Sequence, residues 1–167
     1  MTQLYWIPGS WVGRLAISAR PRGGDWLEDE MSAWRHAGVD TVVFLLAIDE
    51  EKDLELEREG HALRASGMAF ISFPIADRDV PASSAALARL AAQLDTELAH
   101  GRNVAVHCRQ GIGRAGLVTA SVLMARGLDQ EQALHDVSEA RGVTVPETAE
   151  QRAWIAEFSA VSTRESH

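Results

Sequence analysis

Short apolar runs alternate along the chain with longer stretches in which apolar positions recur every three or four residues. The runs at residues 15–18, 41–46, 68–73 and 104–106 predict β-strands. Those at 41–46 and 104–106 are almost wholly apolar and rich in β-branched side chains. Such runs are typical of strands that are buried on both faces of a parallel sheet.

The amphipathic stretches between these runs predict helices. Besides a helix that follows the acidic segment 49–59, five are expected, at residues 26–36, 84–100, 117–126, 130–141 and 147–158. Asp25 and Asp129 are the expected N-caps of the first and fourth helices. Ser83 or Ser84 is expected to cap the second. The acidic segment 49–59 is expected to begin as a loop, to continue as a helix toward Leu63 that ends near Gly67, and to present its charges to solvent.

Strands that alternate with helices indicate a layered α/β fold with a central, largely parallel sheet flanked by helices. A chain of 167 residues can bury a full core, and no linker or internal repeat divides it. We therefore expect a single domain with its core over residues 15–160 and a flexible tail at 161–167. Ligands of such sheets bind beyond the carboxyl ends of the strands.

Composition narrows the surroundings and partners of the protein. The net charge is −8 with no basic stripe, which argues against a nucleic-acid partner. No apolar run approaches the roughly 20 residues that span a bilayer, and the first residues do not resemble a signal peptide, so no membrane association is expected. The chain has one cysteine, which excludes an intrachain disulfide and suits a reducing, cytoplasmic location. The oligomeric state is left open.

The chemistry of the chain is concentrated around Cys108. This cysteine lies two residues after the predicted buried strand at 104–106, and Arg114 lies three residues before the predicted helix at 117–126. Backbone N–H groups of a glycine-rich loop at a helix N-terminus bind anions without a metal, and they stabilise a thiolate held in the same place. A guanidinium matches two phosphate oxygens. The predicted phosphate-binding loop consists of Arg109, Gln110, Gly111, Ile112, Gly113 and Arg114.

The string HCRQGIGR, which contains Cys108 and Arg114, resembles the signature loop of the cysteine-dependent protein phosphatases. The string FPIADRDVP at residues 73–81 resembles the acid-bearing loop of their dual-specificity, kinase-associated-phosphatase-like branch. The resemblance implies the fold of that family and Asp77 as the general acid, with Asp79 as the alternative. It also implies a phosphocysteine intermediate on Cys108, formed without a metal or cofactor.

The string PETAEQRAW at residues 146–154 resembles the glutamine-bearing loop with which the family places the hydrolytic water. Glu147 stands where that loop often has Gln, and it could activate the water or repel the anion; Gln151 is retained. Ala115 stands where the family usually has a hydroxyl that stabilises the cysteine as a leaving group, which predicts slow breakdown of the phosphocysteine. His107 is expected to orient the loop from behind the cysteine.

The leading hypothesis is therefore a protein tyrosine or dual-specificity phosphatase whose partner is a phosphorylated protein. One alternative is a phosphatase for lipid or small-molecule phosphates. The sole lysine of the chain, Lys52, lies outside the signature loop, which weighs against phosphoinositides because loops for those substrates often carry extra lysines. Another alternative is a weakly active pseudophosphatase that binds phosphorylated partners.

Overall fold

A five-stranded sheet forms the centre of the molecule. The computed structural model describes residues 1–165, with side chains as far as residue 159. The strands are β1 (Tyr5–Ile7), β2 (Leu15–Ser18), β3 (Thr41–Phe44), β4 (Ala69–Ser72) and β5 (Val104–His107). They lie in the order β1-β2-β5-β3-β4, and all neighbours are parallel except β1, which is antiparallel to β2. The predicted largely parallel sheet is confirmed, with β1 as an edge strand that the sequence pattern did not reveal.

Strand β5 occupies the middle of this sheet. His107, its last residue, lies opposite Ser18 of β2 and Phe44 of β3. Every residue of these three strands is buried, because helices cover both faces of the sheet. Cys108 follows β5 directly, so the central strand delivers the cysteine to the carboxyl edge of the sheet.

Helices flank the sheet on both sides. They are α1 (Leu27–His36), α2 (Ile48–Asp53), α3 (Glu59–Ala65), α4 (Ser84–Ala99), α5 (Arg114–Ala125), α6 (Gln130–Arg141) and α7 (Ala149–Glu165). Ser83 caps α4 by accepting the N–H of Ala86. Asp129 caps α6 in the same way by accepting the N–H of Gln132, as its sequence position predicts.

Successive residues of a strand enter different cores, since their side chains point to opposite faces of the sheet. In β5, Val104 and Val106 pack in a core with α4 to α7, whereas Ala105 packs in the core that contains α1 and α3. The predicted apolar face of α4 is buried in the first of these cores: Leu87, Leu90, Ala91, Leu94 and Leu98. The signature loop therefore joins a buried strand to the largely buried helix α5, and both of its ends are held firmly.

The segment after β3 differs from its prediction. Residues 49–53 form the body of α2 instead of a loop, whereas the helix expected toward Leu63 is confirmed as α3. The expectation that this segment presents its charges to solvent is wrong for Glu50 and Glu59, which are both buried. Each is hydrogen-bonded to a residue of the HCRQGIGR string: Glu50 to Arg114 and Glu59 to His107. A charge can be buried when it is paired and hydrogen-bonded in this way.

Smaller differences occur near the two ends of the chain. Asp25 is not the N-cap of α1: it lies in the 3₁₀ turn Gly24–Trp26, and Trp26 takes the cap position without a side-chain bond. The tail expected at 161–167 overlaps α7 as far as Glu165, and residues 166 and 167 lie outside the described residues. Within residues 1–165, no helix is both long and apolar enough to cross a bilayer.

Candidate active site

The signature loop runs from the end of β5 to the start of α5 and curls tightly against the end of β2. Gly111 has a φ of 71°, a backbone conformation that residues with a side chain rarely adopt. A Cβ at this position would lie 2.5 Å from the carbonyl carbon of Ser18. Only glycine fits here, so Gly111 allows the loop to pack close to the neighbouring strand.

Cys108 and Arg114 line the same small pocket. Each side chain is only 2% exposed. The pocket has a volume of about 130 Å³. Its other lining residues are Asp77, Arg78, Arg109, Gln110, Gly113 and Glu147. The structure thus brings the predicted nucleophile, arginine and acid together at the carboxyl edge of the sheet.

Arg114 is fixed by several hydrogen bonds. Its Nη1 and Nη2 donate to the two carboxylate oxygens of Glu50, with 2.9 Å between Nη2 and Oε2. Nη1 also donates to the carbonyl of Ile75 at 2.9 Å, and Nη2 donates to Oδ1 of Asp77 at 2.9 Å. Burial acts to lower the pKa of Arg114, but the Glu50 hydrogen bond and the charge of Cys108 outweigh it and raise the pKa above its usual value. The guanidinium therefore stays charged and keeps one orientation.

Glu50 is the partner of Arg114 that the sequence did not indicate. It lies in the first turn of α2, where its Oε1 also accepts the N–H of Ala47 at 3.1 Å. Burial acts to raise the pKa of Glu50, yet the hydrogen bonds from Arg114 and Ala47 hold it below the usual value. A glutamate in a first helical turn is a local signal for capping. Its second role, the pairing with Arg114, depends on a residue 64 positions away and has no local signal.

The two aspartates of the acid loop point to different partners. Asp77 lines the pocket with Cys108, and its carboxylate contacts Arg114 while remaining 49% exposed. Asp79 instead accepts the N–H of Val80 at 2.7 Å and does not line the pocket. The geometry favours Asp77 over Asp79 as the residue that can exchange a proton with a group held beside Cys108.

The acid loop and the loop before α7 are joined directly. Oε1 of Glu147 accepts a hydrogen bond from Nη1 of Arg78 at 2.7 Å. Gln151 is fully buried, and its Nε2 donates to the carbonyl of Asp79 at 3.0 Å. Its Oε1 accepts the N–H of Thr148 at 3.1 Å. The negative charge of Glu147 is therefore opposed by Arg78, and Gln151 anchors one loop to the other.

His107 lies behind the cysteine, between α3 and the signature loop. Its Nε2 is 2.6 Å from Oε2 of Glu59, and its Nδ1 is 3.2 Å from the carbonyl oxygen of Cys108. Both side chains of the His107–Glu59 pair are buried, and the other Glu59 oxygen has no hydrogen-bond partner among the described residues. Glu59 is thus a second buried carboxylate that the sequence did not place at the site.

Ala115 offers no hydroxyl at the start of α5, where it is buried. The hydroxyl of Thr119, one turn later, donates to the carbonyl of Ala115 at 2.8 Å and so is committed to the helix backbone. As for metals, the described side chains contain no cluster of three or more His, Cys, Asp or Glu residues that could hold an ion.

Comparison with known proteins identifies the family. Residues 17–128 match a family model described as a polymorphic toxin system, DSP-PTPase phosphatase. The match covers more than half of the chain and contains Cys108, Arg114 and Asp77. The chain belongs to this phosphatase family. It is therefore a cysteine-dependent phosphatase of the dual-specificity and tyrosine phosphatase superfamily. None of the curated proteins compared with the chain matches it.

Solved structures of phosphatases share the fold over almost its whole length. A kinase-associated phosphatase with its catalytic cysteine replaced by serine has a TM-score of 0.87 at 21% identity, over 99% of this chain and 97% of that one. Tk-PTP in its active form has a TM-score of 0.78 at 28% identity, over 94% and 96%. PTPMT1 in complex with PI(5)P has a TM-score of 0.74 at 18% identity, over 92% and 94%.

Proposed function

We propose that this phosphatase hydrolyses phosphomonoesters on proteins through a phosphocysteine on Cys108. The observation that carries the proposal is that Cys108, Arg114 and Asp77 line one small pocket at the end of the central strand. A nucleophile, a charged guanidinium and a proton carrier within one pocket are the groups that phosphoryl transfer through a covalent intermediate requires.

In the first step, Sγ of Cys108 attacks phosphorus in line with the ester oxygen. The S–P bond forms as the P–O bond breaks. Asp77, protonated at this stage, gives its proton to the departing oxygen, so the alcohol or phenol leaves neutral. Arg114 and the N–H groups of the signature loop hold the three equatorial oxygens as their charge redistributes.

In the second step, water attacks the phosphorus of the phosphocysteine. Its proton passes to Asp77, which is now ionised, and the S–P bond breaks to release phosphate and the Cys108 thiolate. Glu147 lines the pocket, and Gln151 anchors the loop that carries it. These two residues are proposed to place the water.

Protein phosphates are the favoured substrate class. The cationic residues that line the pocket are all arginines, namely Arg78, Arg109 and Arg114, and the one lysine, Lys52, lies on α2. Loops for phosphoinositides often carry extra lysines, so these cations favour protein phosphates. A net charge of −8 also opposes binding to an anionic membrane surface.

We place the protein in the cytoplasm, where a single reactive thiolate stays reduced.

A phosphoinositide phosphatase is the second candidate. The likeness to PTPMT1 in complex with PI(5)P favours it. At 18% identity this likeness extends to the fold alone.

The mechanism is tested with an aryl phosphate and the Cys108→Ser variant. We expect turnover by the wild-type protein that EDTA leaves unchanged and that orthovanadate inhibits. Cys108→Ser should lose turnover but still bind inorganic phosphate, because the loop and Arg114 are intact. Undiminished turnover by Cys108→Ser would exclude the covalent route.

The substrate class is tested by comparing kcat/KM for phosphotyrosine, phosphoserine and phosphothreonine peptides with kcat/KM for PI(5)P in mixed micelles. We expect the peptides to be the better substrates. A higher kcat/KM for PI(5)P would replace the proposed substrate class with the lipid one, while leaving the catalytic mechanism intact.

A further inference from the structure

The carbonyl groups of the signature loop all bond to donors outside the pocket. The His107 carbonyl accepts the N–H of Leu45, and the Cys108 carbonyl faces the ring of His107. The Arg109 carbonyl accepts the N–H of Arg20. The Ile112 and Gly113 carbonyls accept the N–H groups of Gly116 and Leu117 in α5. The remaining two belong to Gln110 and Gly111, and one side chain binds both. Arg141 donates from Nη2 to the Gln110 oxygen at 3.1 Å and from Nε to the Gly111 oxygen at 3.0 Å.

Holding a carbonyl also sets the direction of the N–H group that follows it. In a trans peptide, the C=O of one residue and the N–H of the next lie in one plane and point in opposite directions. Arg141 therefore turns the N–H groups of Gly111 and Ile112 away from itself. Neither N–H donates to a protein acceptor within the described residues. Both are available to the oxygens of a bound phosphate.

Both of these peptides adjoin a glycine. Gly111 lies between them, and glycine allows backbone rotations that other residues resist. On the Gln110 and Gly111 carbonyls, Arg141 is the donor found in the described part of the chain. Without it, the peptides on either side of Gly111 can rotate and turn an N–H group away from the phosphate.

Arg141 itself is held in place by two elements. It is the last residue of α6, and its guanidinium carbon lies 4.4 Å from the centre of the Tyr5 ring on β1. Cation–π contact of this kind fixes the plane of the guanidinium. The planar fork can then reach two successive carbonyls, which the single ammonium group of a lysine cannot do with the same geometry.

We propose that Arg141 is a positioning residue of this phosphatase: it holds two peptide groups of the signature loop so that their N–H groups face the phosphate. Its effect on turnover rests on the proposed function. Its effect on the binding of an oxyanion does not, because an oxyanion can bind at the loop without any ester being hydrolysed.

The test measures orthovanadate affinity and the steady-state kinetics of aryl phosphate hydrolysis for Arg141→Ala and Arg141→Lys. We expect orthovanadate to bind about tenfold more weakly to Arg141→Ala, as the loss of one hydrogen bond to a charged group implies. The kcat should fall as well, because the same N–H groups hold the oxygens in the transition state. Arg141→Lys retains the positive charge, so it should recover only a small part of the lost affinity.

Arg35→Ala is the matched control. Arg35 lies in the last turn of α1, and its Nη1 donates to the Val39 carbonyl at 3.0 Å, so it makes the same kind of contact on the other side of the sheet. This variant should bind orthovanadate and turn over substrate as the wild type does, even if the loss of its contact lowers the melting temperature of the protein.

Wild-type orthovanadate affinity in Arg141→Ala would overturn the proposal, as would an equal loss of affinity in Arg35→Ala. If Arg141→Ala does not fold, Arg141→Lys decides the question, and wild-type affinity in that variant overturns the proposal. A wild-type protein that binds orthovanadate without hydrolysing any ester would refute the proposed function, while the comparison of affinities would still decide the role of Arg141.

Discussion

The side chains of Arg78 and Glu147 meet at 2.7 Å beside the catalytic pocket that both of them line. Arg78 follows the predicted acid Asp77, and Glu147 belongs to the loop proposed to place the water. The pair therefore ties together the two loops that act in successive steps. Arg78 has a φ of 63°. This left-handed conformation costs a non-glycine residue about 1–2 kcal/mol, which the ion pair partly offsets.

Removing this ion pair should slow catalysis modestly. An exposed pair contributes about 0.2–1 kcal/mol, so we expect Glu147→Gln or Arg78→Ala to lower kcat for an aryl phosphate by up to about fivefold. High salt should bring the wild-type kcat toward that of the variants, because it screens exposed charges. The measurement is kcat at low and high salt for both single variants and the double variant. Fully additive effects in the double variant would show that the two side chains act independently.

Replacing Asp77 should remove the acid that protonates the leaving group. We expect Asp77→Asn to lower kcat about 10²–10⁴-fold with an alkyl phosphate, the usual contribution of general acid catalysis. The loss in kcat/KM, which reports formation of the phosphocysteine, should be smaller with an aryl phosphate, because its phenoxide can leave without a proton. Asp79→Asn is the matched variant in the same loop and should retain most of its activity, because that carboxylate bonds to the Val80 N–H. The opposite ranking of the two variants would move the acid to Asp79.

Glu50 should make the stability of the fold dependent on acid pH. Its pKa in the folded state lies below the usual value, because hydrogen bonds from Arg114 and Ala47 outweigh the effect of burial. Its contribution is therefore complete above the unfolded pKa of about 4.3 and is lost as the pH falls through the lower folded pKa.

The Glu50→Gln variant tests this dependence by urea unfolding at neutral and acid pH. At neutral pH we expect its free energy of unfolding to fall by about 3 kcal/mol, because the buried Arg114 loses its buried carboxylate partner and keeps only the half-exposed Asp77. Its stability should then depend less on pH below about 4.3. Asp53→Asn is the control, since Asp53 is exposed on the same helix. Unchanged stability of Glu50→Gln at neutral pH would contradict the role given to this pair.

The missing hydroxyl at Ala115 should slow the breakdown of the phosphocysteine. Rapid mixing with an aryl phosphate is expected to show a burst of phenol followed by a slower steady rate. Ala115→Ser should raise the steady rate and shrink the burst, because a hydroxyl at this position can donate to the departing sulfur. The absence of a burst in the wild type, together with no gain from serine, would refute this expectation.

Local pattern was enough to predict much of the fold. The apolar run before Cys108, the glycines after it and the apolar helix that follows are contiguous, so the strand, loop and helix could be predicted together. The Ser83 and Asp129 caps depend on hydrogen bonds to residues three positions away, which also makes them readable from sequence. The short β1 strand was missed because its three residues show no strand pattern in the sequence. They form a strand through their pairing with β2.

By itself, the sequence determined the family signature, the layered α/β fold and the candidates Cys108, Arg114 and Asp77, because contiguous residues carry these signals. Only the tertiary structure decided which charged residues support them. Glu50 meets Arg114 across 64 positions, and Glu59 meets His107 across 48. A carboxylate in a charged segment is predicted to be solvated, and it is buried only where folding brings a cationic or hydrogen-bonding partner to it.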